Sequence, residues 1–172
     1  MKKFLGVAIA VVLLATVTFA APGAKHKATG DADWINGDAF DQPANLTFNA
    51  INTSATTLEA KGSAIYTDAN ITYTMDVKFL HVVGKTAWLV GTVTSFEVTG
   101  NDPQCCRVGN WILYQVVDGG EPGIGADSVW GEDLTAGPAH ITSSWAAFNR
   151  MMNNVAPQGG PFVLTGGNLQ VQ

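Results

Sequence analysis

The residues best equipped for chemistry are two adjacent cysteines, Cys105 and Cys106, in the run Asn101-Asp102-Pro103-Gln104-Cys105-Cys106-Arg107. Thiols oxidise, attack electrophiles and ligate soft metals. Neighbouring cysteines pair with each other only through a strained eight-membered ring. Three states therefore stay open: a vicinal disulfide, two free thiols, or links between chains. Two sulfur ligands with no flanking His do not make a zinc site. The second reactive group is acidic. Asp31, Asp33, Asp38 and Asp41 fall close together, as do Asp118, Glu121, Asp127, Glu132 and Asp133. Carboxylates interleaved with Gly in a loop build an oxygen cage for calcium, and Asp118, Glu121 and Asp127 are the candidate ligands. The competing reading is a set of solvated turns. The Asp31 run fails as an EF-hand, because Asn36 comes one place late and the twelfth position is Gln42.

Signatures of catalysis fail when tested residue by residue. Gly84-Lys85-Thr86 matches the end of a phosphate-binding loop, but Phe79 stands where the first Gly is needed. No G-x-S-x-G, H-E-x-x-H, S-x-x-K or G-x-G-x-x-G pattern occurs. His26, His81 and His140 stand apart from one another in sequence. A hydrolase built from paired carboxylates such as Asp118 and Glu121 stays open, because such pairs need proximity only in space. Five tryptophans offer indoles that stack on sugar rings or fill partner pockets. Trp111 and Trp145 read as core from their apolar spacing. Trp88 and Trp130 are the candidate binding residues. Trp88 lies opposite Ala87, Leu89, Gly91 and Val93, so it points outward if those four form the core.

The elements that must position these side chains are strands. Ile71 to Phe79 is apolar at every odd position and polar at every even one, the mark of a strand with one buried face. Gly84-Lys85 supplies a tight turn, and Ala87 to Thr94 returns as the partner of a hairpin. Further strands are expected at Asn45 to Ile51, Leu58 to Tyr66, Trp111 to Asp118 and Phe162 to Gln172, with weaker ones near Gly30 to Trp34 and Ser128 to Gly131. Trp111 to Val117 is apolar on both faces, which suits a strand covered on two sides or one lining a ligand cavity. Ile141, Trp145, Phe148 and Met152 recur at helical spacing behind Thr142-Ser143-Ser144, predicting a short helix over Ser144 to Asn153. The expected fold is all-β: a single antiparallel β-sandwich or partly closed β-barrel of about eight strands, with one short helix near the C-terminal third.

The chain of 172 residues is 47% apolar and 13% charged, with a formal charge of −5. That excludes a disordered chain and a basic nucleic-acid binder. Met1-Lys2-Lys3 followed by the apolar run Phe4 to Phe19 and the small residues Ala20-Ala21 reads as a secretory signal peptide over residues 1–20. The run is short for a membrane span, which takes about 20 apolar residues. Residues 21–29 then form a flexible leader and residues 30–172 the domain. Removal of the signal leaves about 150 residues and a charge near −7, secreted to the periplasm or medium and free of the membrane.

Phe79 to Ala87, Gly91-Thr92-Val93, Val116-Val117-Asp118-Gly119-Gly120-Glu121 and Gly166-Gly167-Asn168-Leu169-Gln170-Val171 resemble, in the same order, the hairpin, V-V-D-N-G-E-G and terminal G-N-I-Q-V segments of a group of small exported bacterial β-domain proteins. The chain departs from that pattern at Gly119 and around Ala139 to Ala156. The resemblance implies export and an all-β domain, and it supplies no catalytic residue. The resulting expectation is a secreted, non-enzymatic β module that binds a glycan, a protein or the cell envelope through its surface. The alternative is a small-molecule carrier whose interior is lined by Ile71 to Phe79 and Trp111 to Val117. A closed internal cavity of several hundred Å3 marks the carrier, whereas a filled core marks the surface binder.

Overall fold

A computed structural model describes residues 25–36, 42–120, 127–138, 140–153 and 156–172. The proposed signal peptide, residues 21–24 of the leader, Asp38, Asp41 and Glu121 lie outside the described residues. Within those residues the chain forms nine strands: β1 (Lys27–Asn36), β2 (Gln42–Asn52), β3 (Ala60–Thr67), β4 (Ile71–Val83), β5 (Thr86–Val98), β6 (Trp111–Val117), β7 (Ser128–Asp133), β8 (Gly159–Val163) and β9 (Gly166–Val171). One helix, α1 (Ser144–Met152), falls between β7 and β8.

All nine strands belong to one antiparallel sheet, in the order β8-β7-β6-β5-β4-β3-β2-β1-β9, curled into a half-barrel. Of the two expected architectures this is the barrel-like one. The alternation in Ile71 to Phe79 sets its register, because Ile71, Tyr73, Met75 and Val77 are all buried on the concave face. The hairpin turn falls where expected: Val83 pairs with Thr86, and Gly84 takes φ +60° at the first turn position, a conformation that disfavours other residues. The interior is filled by side chains such as Leu46, Met75, Leu80 and Leu89, all fully buried. Each contributes about 1.5–3 kcal/mol over its exposed state.

Several strands run a few residues beyond their expected bounds, such as β4 to Val83 and β5 to Val98, and two differences bear on how the sheet closes. β1 begins at Lys27, inside the segment assigned to the leader, because it pairs on one side with β2 (Lys27 with Ile51) and on the other with β9 (Ala28 with Val171). The single strand expected over Phe162 to Gln172 is two. β8 pairs with β7, and after Leu164-Thr165 the chain changes partner, so that β9 pairs with β1. Gly167 allows the change: it takes φ +90°, and a Cβ there would stand 1.9 Å from the Asp31 carbonyl oxygen. β8 and β9 run in the same direction and occupy opposite ends of the strand order, so the short link between them draws the two ends of the sheet together.

A second apolar layer covers the convex face of β5 and β6. Trp88, Val90, Trp111 and Leu113 pack there with Leu134 and with Ala147 and Met151 of α1. Ser143 caps the helix by accepting the Ala146 N–H. β6 is thus buried on both faces, with Ile112, Tyr114 and Val116 in the interior and Trp111 and Leu113 under the helix.

Candidate functional site

The open end of the curl, where the ends of β1, β3 and β7 meet the starts of β4, β6 and β8, holds a cavity of about 370 Å3. Its wall is an arc of aromatic rings drawn from five strands. Phe162 stacks on Trp34 at 5.6 Å, Trp34 lies 6.0 Å from Tyr66, and Tyr66 stacks on Tyr73 at 5.1 Å. The hydroxyl of Tyr73 meets that of Tyr114. Ile71, Ile112 and Val129 complete the apolar surface. Burial, with smaller contributions from Cys106, from Tyr114 for Tyr66 and Tyr73, and from Asp68 for Tyr66 and Tyr114, pushes the hydroxyls of Tyr66, Tyr73 and Tyr114 well above the ordinary range, so all three stay neutral at physiological pH. Trp34 is almost fully buried, and its indole N–H has no acceptor among the described residues.

The carboxylates at the cavity are already engaged. Asp68 accepts the Tyr66 hydroxyl at 2.8 Å and the Asn70 and Ile71 N–H groups at 2.7 and 2.8 Å, which fixes the β3–β4 turn. Glu132 is buried against Arg150, 2.6 Å from its guanidinium. Asp133 accepts from the Cys106 and Thr135 N–H groups at 2.6 and 2.9 Å, and also from Ala136 and Asn110.

Cys105 and Cys106 form one edge of the cavity. Their sulfurs lie 3.0 Å apart, as thiols, with the Cys106 S–H donating to Cys105. That hydrogen bond holds the Cys105 thiol below its ordinary range and, together with burial, pushes Cys106 up. Cys106 sits at φ +60° and Gln104 at φ +61°. The loop is tied down by the Cys106 bond to Asp133, by an Arg107–Asp102 ion pair, and by the Arg107 guanidinium 4.4 Å from the Phe96 ring centre.

The other sequence candidates fall elsewhere. Trp88 does lie on the convex face, yet it is only 6% exposed, because α1 and its approach cover it. It is therefore not an exposed binding residue. Trp130 is half-buried on the same face, one strand beyond, with Gln115 of β6 paired to both. Trp145, expected in the core, is 70% exposed. Ala147 and Met151 take the buried face of the helix, and Trp145 stacks on Phe148 at 5.9 Å on its flank.

Asp118 and Asp127 act together, on protein donors. Asp127 accepts the Gly119 N–H at 2.8 Å and the Leu169 N–H at 3.1 Å; Asp118 accepts the Gly120 N–H at 2.8 Å and the Val171 N–H at 3.2 Å. Lys85 lies 3.6 Å from Asp118. The two carboxylates thus bond the edge of β9 that faces away from β1. Among the described residues, no three His, Cys, Asp or Glu side chains gather closely enough to hold a metal ion.

The cavity combines residues that sequence spacing does not connect: Trp34, Tyr66 and Phe162 meet only because the sheet curls. Ile71, Tyr73, Ile112 and Tyr114 do fall in the two segments expected to line a carrier, but the cavity opens at one end of the half-barrel and the interior beyond it is filled, so it is not the closed internal cavity expected of one. No protein-family model, curated protein or solved structure matches the chain.

Proposed function

We propose that the protein is a non-enzymatic binder of a small, planar, largely apolar molecule, held at the open end of the half-barrel. The observation that carries this reading is the 370 Å3 cavity walled by five aromatic rings, one of them that of Trp34, whose buried indole N–H has no acceptor among the described residues. Binding sites for small molecules fall at about 300–1,000 Å3 and combine apolar walls with a few placed polar groups. The ligand class follows from the lining. Asp68, Glu132 and Asp133 disfavour an anion, the rings favour a flat partner, and Trp34 asks for a hydrogen-bond acceptor. Binding without turnover fits the carboxylates, each of which already accepts from protein donors. On the sequence grounds given above, the protein is read as exported.

The test is a fluorescence titration with two neutral dyes, prodan, which carries a carbonyl acceptor, and N-phenyl-1-naphthylamine, which lacks one. Both bind saturably to the wild-type protein. Trp34→Phe keeps a ring in the stack and removes the N–H, weakening prodan by about two- to tenfold, the worth of one neutral hydrogen bond. It leaves the second dye within about twofold. Absence of saturable binding by either dye refutes the reading.

A second reading, surface binding of a glycan or protein, is favoured by one observation: the exposed Trp145 stacked on Phe148, which itself meets Phe79 edge-on at 5.2 Å. Retention of the protein on an insoluble polysaccharide, lost in Trp145→Ala, would support it; equal retention of both would remove it.

A further inference from the structure

The paired cysteines have a geometry that a structural crosslink does not need. Consecutive Cα atoms are about 3.8 Å apart, below the ~4.4–6.8 Å that an unstrained disulfide spans. A bond between them closes almost no chain, so it removes little entropy from the unfolded state. Its strain also makes it easy to reduce. Such a bond suits a reversible couple. The structure holds the two sulfurs ready for it, 3.0 Å apart, in a loop fixed by the Asp133 and Arg107 contacts and at the edge of the aromatic cavity.

We propose that Cys105 and Cys106 are a reversible dithiol–disulfide couple, exchanging with small aliphatic disulfides, whose redox state sets the affinity of the aromatic cavity for its ligand. The affinity half of this proposal rests on the reading of the cavity as a ligand site; the couple does not. In the first step the Cys105 thiolate attacks one sulfur of a disulfide RSSR, forming the mixed disulfide and expelling RS−. The Cys106 thiol then gives its proton to solvent, and its thiolate attacks the Cys105 sulfur and expels the second RS−. The protein loses two protons and two electrons, and RSSR becomes two RSH once the expelled thiolates take up protons. Cys105 is suited to attack first, since the S–H of Cys106 stabilises its thiolate. Closure of the ring replaces two thiols at the cavity edge with one S–S unit that has no hydrogen to donate, and it pulls the Cys106 backbone against its hold on Asp133.

The test uses the full chain, equilibrated in reduced and oxidised glutathione mixtures, acid-quenched, alkylated and weighed. The expected result is a monomer two hydrogens lighter, with the loss located in the peptide that contains both cysteines and fully reversed by reduced glutathione. Cys105→Ser and Cys106→Ser should stop at the mixed disulfide. Prodan is then titrated into both redox forms, with an affinity difference of threefold or more expected for the wild type and none for the variant carrying both serines. Disulfide-linked dimers, or a doubly glutathionylated chain with no ring, overturn the couple. A ring with equal prodan affinity in both forms overturns the control of affinity while leaving the cavity. No prodan binding in either form overturns the cavity reading and the control of affinity together, and the mass measurement still decides the couple.

Discussion

The pair of carboxylates that holds the edge of β9 gives the sharpest test of how the sheet is completed. Asp127 accepts two backbone N–H groups, one from its own loop at Gly119 and one from Leu169 of β9, and it is half-buried. Asp127→Ala leaves both donors without this acceptor. A hydrogen bond to a charged group contributes about 1.5–3 kcal/mol, and partial solvent access places these at the lower end, so the loss is about 2–4 kcal/mol. Asp127→Asn keeps one carbonyl acceptor and should lose about half as much. In a domain of this size, 1 kcal/mol moves Tm by about 2–4 °C, which puts Asp127→Ala roughly 5–15 °C below the wild type. Asp76→Ala removes the pair with Lys78, in which both side chains are nearly half exposed, and should change stability by less than about 0.5 kcal/mol. The assay is chemical denaturation combined with amide hydrogen exchange. The Leu169 amide should lose protection in Asp127→Ala, while the Val171 amide, held by Asp118, loses less. An Asp127→Ala variant as stable as Asp76→Ala, with Leu169 still protected, refutes the assignment. Stabilisation of the wild type by calcium that Asp127→Asn abolishes would also refute it, because these oxygens would then serve a cation.

Gly167→Ala should prevent β9 from pairing with β1, since its Cβ would meet the Asp31 carbonyl at 1.9 Å; we expect a loss above about 3 kcal/mol, or insoluble protein, measured by denaturation of whatever material is soluble. Met151→Ala empties a fully buried position under α1 and should lose about 2–5 kcal/mol, whereas Trp145→Ala, at an exposed position of the same helix, should stay within about 1 kcal/mol. The alkaline limit should be set by Tyr66, Tyr73 and Tyr114. Their folded-state pKa values are raised above the ordinary 10.0, so the stability they contribute is whole below pH 10 and falls as the pH rises beyond it, where only the unfolded chain ionises. Tyrosinate absorbance should therefore appear together with the loss of tertiary signal; ionisation of all three tyrosines in a still-folded protein would contradict the burial of the ring arc.

Much of the fold is legible in the sequence where one strand carries its own signal. The odd-even pattern of Ile71 to Val77 and the Gly84-Lys85 turn define β4, most of its face and its return, because period and turn chemistry are local; the pattern's last member, Phe79, is turned by a register shift after Val77 to the convex face, where it meets Phe148. The existence of the helix is legible from the cap hydroxyls of Thr142-Ser143-Ser144 and the helical spacing behind them, but its buried face is not: Ala147 and Met151 are buried, while Trp145 and Met152 are exposed. What is not legible depends on closure. A single run from Phe162 to Gln172 gives no local sign that its first half pairs with β7 and its second with β1. The exposure of Trp88 and Trp145 is inverted for a related reason. A side chain on the convex face of a sheet is exposed only if nothing docks there, and the docking residues, Ala147 and Met151, are too small or too ordinary to announce it. For Asp118 and Asp127 composition offers a cation cage or solvated turns, and it gives no sign that they meet the amides of Leu169 and Val171, more than forty residues away, through the same closure. The cavity follows this rule too: its β4 and β6 walls are visible as strands with apolar faces, while Trp34, Tyr66 and Phe162 join them only in three dimensions.

The claim that the open end of the half-barrel is a ligand site is tested most directly by heteronuclear NMR of the labelled protein during titration with prodan. Saturable shifts should centre on the Trp34 indole N–H, which moves downfield as it gains an acceptor, and on the amides of Ile112, Val129 and Cys106. Shifts that fail to saturate, or that gather around Trp145 and Phe148 and leave the Trp34 indole unmoved, would contradict the account.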